Sequence, residues 1–135
     1  MQTTILTEEQ KSELRNKYNP DGSHLRKHQL ELLEILKILS DICNKNNIQW
    51  WLSSGTLLGA MRHQGFIPWD DDVDIVMFKE DYKKLEKVLL NMHDDEFVLH
   101  SMKTDIEYVR CFAKFRKREG TEYSRDRRRN WYRWA

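Results

Sequence analysis

The run Ile67-Pro68-Trp69-Asp70-Asp71-Asp72-Val73-Asp74-Ile75 places four carboxylates in five positions and then continues straight into apolar residues. Such a segment needs something positive where the chain enters its core, because a buried, uncompensated carboxylate is costly. A hard divalent cation such as Mg²⁺ is the economical neutraliser, since it takes oxygen ligands and also holds substrate phosphates. Asp72 and Asp74 stand two apart on what reads as extended backbone, so both side chains project to one face while Val73 and Ile75 anchor in the core. That pair is the expected cation clamp; one of Asp70 and Asp71 is expected to be a solvated capping acid instead. The run therefore reads as the metal end of an enzyme site.

At 135 residues and 16.4 kDa the chain has the size of one domain. Lys and Arg total 23 against 22 Asp and Glu, so no bulk field selects nucleic acid or an anionic membrane, and any charge effect is local. Cys43 and Cys111 form no C-x-x-C pair and read as reduced thiols. Residues 1–17 are too polar for a secretory signal, and no apolar run approaches the roughly 20 residues of a membrane helix, so a cytoplasmic location is expected.

Along the chain, residues 1–22 read as a polar arm ending in the turn cluster Tyr18-Asn19-Pro20-Asp21-Gly22. From Ser23, an N-cap type, Leu25, Leu32, Ile35, Leu36, Leu39, Ile42 and Cys43 recur at helical spacing until Asn46-Asn47. A strand over 48–53, a Ser54-Gly55-Thr56 turn and a helix over 57–62 follow. After the acidic run come a strand over 73–78, a helix over 79–92, and strands over 97–100 and 108–117. The last of these alternates Val109, Cys111, Ala113 and Phe115 against Arg110, Phe112, Lys114 and Arg116. Residues 23–124 thus form the expected domain, while 125–135, with five arginines beside Trp131, Tyr132 and Trp134, fit no periodicity.

A strand, a Ser-Gly-Thr turn and a helix together offer backbone N–H groups, a hydroxyl and a helix N-terminus to a phosphate. Ser54, Gly55 and Thr56 are the residues concerned, with Gly55 letting the anion approach the backbone; the bland alternative is an ordinary turn. Trp69 either stacks on a base or a choline-like cation, or packs in the core after the turn proline. Arg62, Lys114 and Arg116 are candidates for phosphate oxygens, the last two sharing a strand face. His24 and His28 have i,i+4 chelating spacing but no third ligand, so they read as surface histidines. His63, between Arg62 and the acids, reads either as a substrate neighbour or as a solvated loop residue.

These stretches resemble the LicD family of phosphocholine transferases, which includes the fukutin-type ribitol-phosphate transferases. The resemblance rests on Tyr18-Asn19-Pro20-Asp21-Gly22-Ser23, Leu25-Arg26-Lys27-His28-Gln29-Leu30, the block from Trp51 to Ile75, and more loosely Phe112-Ala113-Lys114-Phe115-Arg116. It implies an α+β fold, a nucleotidyltransferase-like mixed β-sheet with flanking helices. It also implies Mg²⁺ (or Mn²⁺) on Asp72 and Asp74, phosphates facing Ser54, Gly55 and Thr56, and a CDP-alcohol donor such as CDP-choline. The acceptor it implies is a hydroxyl of a cell-surface glycan, teichoic acid or lipopolysaccharide, with Asp71 the candidate to activate it. The family pattern continues into a further aspartate strand where this chain has 125–135, so the resemblance implies a C-terminally truncated or frame-shifted product. The competing expectation is an inactive fragment or phosphate-binding module lacking that acid.

Overall fold

The computed structural model describes residues 5–94, 96–105, 107–108 and 110–118, so the expected tail over 125–135 lies outside the described residues. Among the described residues the fold is α+β, with four helices and two small antiparallel ladders, and the chain divides into units of Met1–Phe78 and Lys79–Ala135.

In the first unit the polar arm contains a helix, α1 (Glu8–Tyr18). Its cause is a capping box: the Thr7 hydroxyl accepts from the Gln10 N–H and the Gln10 side chain accepts from the Thr7 N–H. Helix α2 (His24–Lys45) starts where the Ser23 hydroxyl accepts from the Arg26 N–H and ends at Asn46. It buries Gln29, Leu32, Ile35, Leu39 and Cys43, one stripe at helical spacing whose first member is polar. Ile48 and Ile67 complete this core.

Strand β1 (Trp51–Leu52) pairs antiparallel with β2 (Ile75–Val76), both shorter than the sequence pattern suggests. The ladder extends by one bond, Ser53 N–H to Asp74 O at 3.0 Å, before the acids carry the chain away. Between the strands lies α3 (Ser54–Arg62), so Ser54-Gly55-Thr56 is the first turn of a helix rather than a loop preceding one. Gly59 is where α3 meets the returning chain: a Cβ there would lie 2.5 Å from the Gly65 carbonyl oxygen and 3.0 Å from the Ile67 nitrogen.

The second unit packs α4 (Lys79–Met92) with β3 (Phe97–His100), which pairs antiparallel with β4 (Lys114–Lys117) in the register Leu99 to Phe115. The expected strand over 108–117 is thus confined to its last four residues; Tyr108 instead ends a turn and its hydroxyl donates to Phe112 O at 2.6 Å. Among the described residues no helix is long and apolar enough to cross a membrane.

Replacing Gly59 with Ala should lower stability by about 1–3 kcal/mol, although alanine is the better helix former by about 1 kcal/mol. Both obstructing atoms are backbone and cannot rotate away. Urea denaturation checks this, and an unchanged or raised midpoint would contradict the crossing.

Candidate functional site

The acidic loop is fixed from behind by main-chain acceptors. The Gln29 side chain, 1% exposed, donates to Asp70 O at 2.8 Å and Ile67 O at 3.1 Å, with Pro68 O at 3.4 Å. Its own carbonyl accepts from Asn19 Nδ2 at 2.9 Å and from Arg26 at 3.2 Å, and Asn19 in turn accepts from the Ser23 hydroxyl. The residue before Gln29 on α2, His28, donates through Nε2 to Asp71 O at 2.8 Å. Buried amides are costly unless every donor and acceptor is met, and here all of them are.

From the front the loop is fixed by α3. Thr56 Oγ1 accepts from the Asp74 N–H at 2.9 Å, so both main-chain polar groups of Asp74 are engaged, one by Thr56 and one by Ser53. Gly55 carries no side chain because the Asp70 carboxylate occupies that place: a Cβ would lie 2.7 Å from Asp70 Oδ2. The half-buried Asp70 therefore rests against the N-terminal turn of α3, where the helix dipole favours negative charge.

Around that point the carboxylates of Asp70, Asp71 and Asp72 bring an oxygen each within 4.8 Å of one another. Oxygens on opposite sides of a Ca²⁺ ion are about 4.6–5.2 Å apart and around Mg²⁺ about 4.2 Å, so this set suits a hard cation with at most a small closure. The sequence pattern singles out Asp72 with Asp74 and expects one of Asp70 and Asp71 to be a capping acid; the three-acid group contains Asp70, Asp71 and Asp72 but not Asp74. Asp74 is nonetheless felt there. The Asp70 carboxyl is raised above the usual carboxylate range, chiefly by burial, then by the charge of Asp71, with Asp74 adding to it.

The other expected residues are spread more widely. Trp69 is 56% exposed rather than in the core, and its ring meets Tyr18 edge-on at 5.3 Å. Arg62 is exposed at the C-terminal end of α3, about 10 Å of helix rise from Gly55. Lys114 and Arg116 belong to the second unit; Lys114 Nζ lies 5.6 Å from the Phe112 ring centroid, and Arg116 is 3% exposed rather than on an open face. The sequence pattern passes over Gln29, although it continues the spacing of Leu25, Leu32 and Leu36, and a polar residue on an apolar stripe is a legible signal. The Gly55–Asp70 contact has no local signal.

Helices supporting a short ladder, with an acidic run entering its second strand beside a helix N-terminus, can present oxygens to a cation and N–H groups to a phosphate. Comparison with known families agrees: residues 47–134 match the description "LicD/FKTN/FKRP, nucleotidyltransferase domain". The chain belongs to the LicD family. It is 45% identical over 64 residues to the lipopolysaccharide cholinephosphotransferase LicD of Haemophilus influenzae, covering 47% of this chain and 24% of that protein. It is 44% identical over 50 residues to human ribitol-5-phosphate transferase FKTN, covering 37% of this chain and 11% of that protein. An uncharacterized protein of Rickettsia prowazekii is 49% identical over 63 residues, covering 47% of this chain and 24% of that protein. The matches thus span about a quarter or less of these relatives. No solved structure matches.

Two outcomes follow from this geometry. Gln29→Leu should cost about 2–4 kcal/mol, because it strands Asn19 and the loop carbonyls without partners; chemical denaturation measures it, and a neutral result would remove the anchor. Asp70 holds its proton to higher pH folded than unfolded. The folded state therefore binds more protons between those two pKa values, and stability falls as pH rises through that window. In chelator, Asp70→Asn should melt higher than the parent at pH 7, with the gap closing toward the unfolded carboxylate value of about 3.9. A lower melting temperature for the variant at pH 7 would refute the charge conflict.

Proposed function

We propose that the chain carries the cation- and donor-binding part of a phospho-alcohol transferase. The transferred group is phosphocholine or a related phospho-alcohol, the donor a CDP-activated alcohol such as CDP-choline, and the acceptor a hydroxyl of a cell-surface glycan, teichoic acid or lipopolysaccharide. The observation carrying this reading is the clustering of Asp70, Asp71 and Asp72 over the first turn of α3 in a chain of the LicD family. The Haemophilus relative, named as a lipopolysaccharide cholinephosphotransferase, supports the choice of group and acceptor.

In this reading Asp72 holds Mg²⁺ or Mn²⁺ together with Asp70, and Asp74 closes on it from the adjoining strand. Bound there, the cation would neutralise charge on the donor phosphates and on departing CMP. The residues of this chain do the positioning. Thr56 Oγ1 accepts from Asp74 and keeps its own O–H to donate, and Ser54 and the N–H groups of the first turn offer further donors to a phosphate. The exposed Trp69 face, braced by Tyr18, suits a base or a choline-like cation. Asp71, exposed, with its carbonyl held by His28 and its backbone N–H bonded to the Asp70 carboxylate, is the candidate to take the acceptor proton. Within the first unit Arg62 is the candidate cationic helper. Because the matched stretches cover so little of the relatives, the second reading is a module that binds donor without turning it over.

Calorimetry with CDP-choline and Mg²⁺, followed by CMP release with a glycan acceptor, tests both. Asp72→Asn and Asp74→Asn should each reduce release by about a hundredfold or more while leaving the melting temperature near that of the parent. Full activity in either variant refutes the cation clamp, and donor binding without release assigns the module.

A further inference from the structure

In the first unit, α1, the start of α2 and the turn after α3 enclose a cavity of about 300 Å³. Its lining carries Lys11, Arg15, Arg26 and His63 against a single acid, Glu8. That acid is already matched, since Lys11 Nζ lies 2.7 Å from its carboxylate and also donates to Gln64. The remaining nitrogen donors are poorly spent. Both ring nitrogens of His63 and the Nε of Arg15 are buried without a hydrogen-bond partner. The other end of the Arg15 guanidinium is 3.6 Å from the carboxylate of Asp21, which is 76% exposed, an ion pair of little strength. Arg26 donates one bond, to Gln29.

Buried polar atoms without partners are rare in folded proteins, and here the Arg15 Nε–H and one ring N–H of His63, both on one basic cavity, call for an acceptor from outside the chain. We propose that this cavity is a second ligand site, separate from the acidic loop, that takes a phosphate-type dianion, free or as a phosphomonoester, on Arg15, Arg26 and His63. The volume exceeds that of phosphate and leaves room for a small organic group attached to it. The electrostatics run the same way. His63 is held below its usual imidazole value by burial first, then by the charges of Arg62 and Lys11. An anion would relieve the cationic crowding. The site also touches the acidic loop through one side chain, because Gln29 lines the cavity and donates to Asp70 O.

The test needs no transfer activity. The full chain, in chelator so that no cation bridges a ligand to the aspartates, is titrated with inorganic phosphate and separately with cytidine monophosphate while the His63 ring resonances are followed by NMR. Both should give saturable shifts with a rise in the His63 pKa, and Arg15→Gln should weaken binding about tenfold, the loss of one charge-assisted bond. Tighter binding of the nucleotide identifies a phosphomonoester site, and equal affinity a site for the free anion. With sulfate, whose charge is constant, affinity should rise as pH falls through the His63 transition. The other charged groups facing His63 are Lys11, Arg15, Arg26 and Arg62 and the carboxylate of Glu8. His63→Gln, judged folded by its melting curve, should abolish that pH dependence. Shifts that do not saturate, or binding unchanged in both Arg15→Gln and His63→Gln, would overturn the site.

Discussion

The buried amide of Gln29 is the contact on which the first unit depends. It sits at the head of the apolar stripe of α2 and spends its donors on main-chain carbonyls of the acidic loop. A loop carrying four carboxylates would otherwise repel itself into solvent, since like charges at short range raise each other's cost of ionisation. Hydrophobic packing behind the loop, from Leu32, Ile35 and Ile67, positions the amide; the amide then positions the acids. The helix and the site are in this sense one structure.

On the other side of the loop, α3 achieves proximity by leaving things out. Gly55 omits a side chain so that Asp70 can lie against the first helical turn, and Gly59 omits one so that the chain can return at Gly65 and Ile67. The Thr56 hydroxyl completes the arrangement by holding the Asp74 N–H. Gly55, Thr56 and Gly59 therefore bring the Asp70 carboxylate to a helix N-terminus, where the dipole favours its charge while burial and the neighbouring Asp71 oppose it.

Much of this was legible in the residues. The N-cap at Ser23, the end of α2 at Asn46, the helix over 79–92 and the strand over 97–100 follow from spacing and capping chemistry and are found where expected. The acidic run announced a charge problem at the right place. What sequence reasoning could not supply was partnership across distance: the pattern leaves either Asp70 or Asp71 as a capping acid, because nothing near Asp70 in sequence reveals its contact with Gly55. The Thr7 and Gln10 capping box was readable, yet the polarity of residues 1–22 masked it. The strands proved shorter than the pattern because alternation marks residues able to pair and not where a partner strand lies in register.

The way the loop is tethered separates shape from charge. Gln29 and His28 grip the carbonyl oxygens of Asp70 and Asp71, groups that every amino acid possesses, so these bonds hold the backbone there without calling on the two carboxylates. Evolution could therefore recolour this hairpin bend, acid by acid, and alter its appetite for ions without having to reinvent the scaffold beneath.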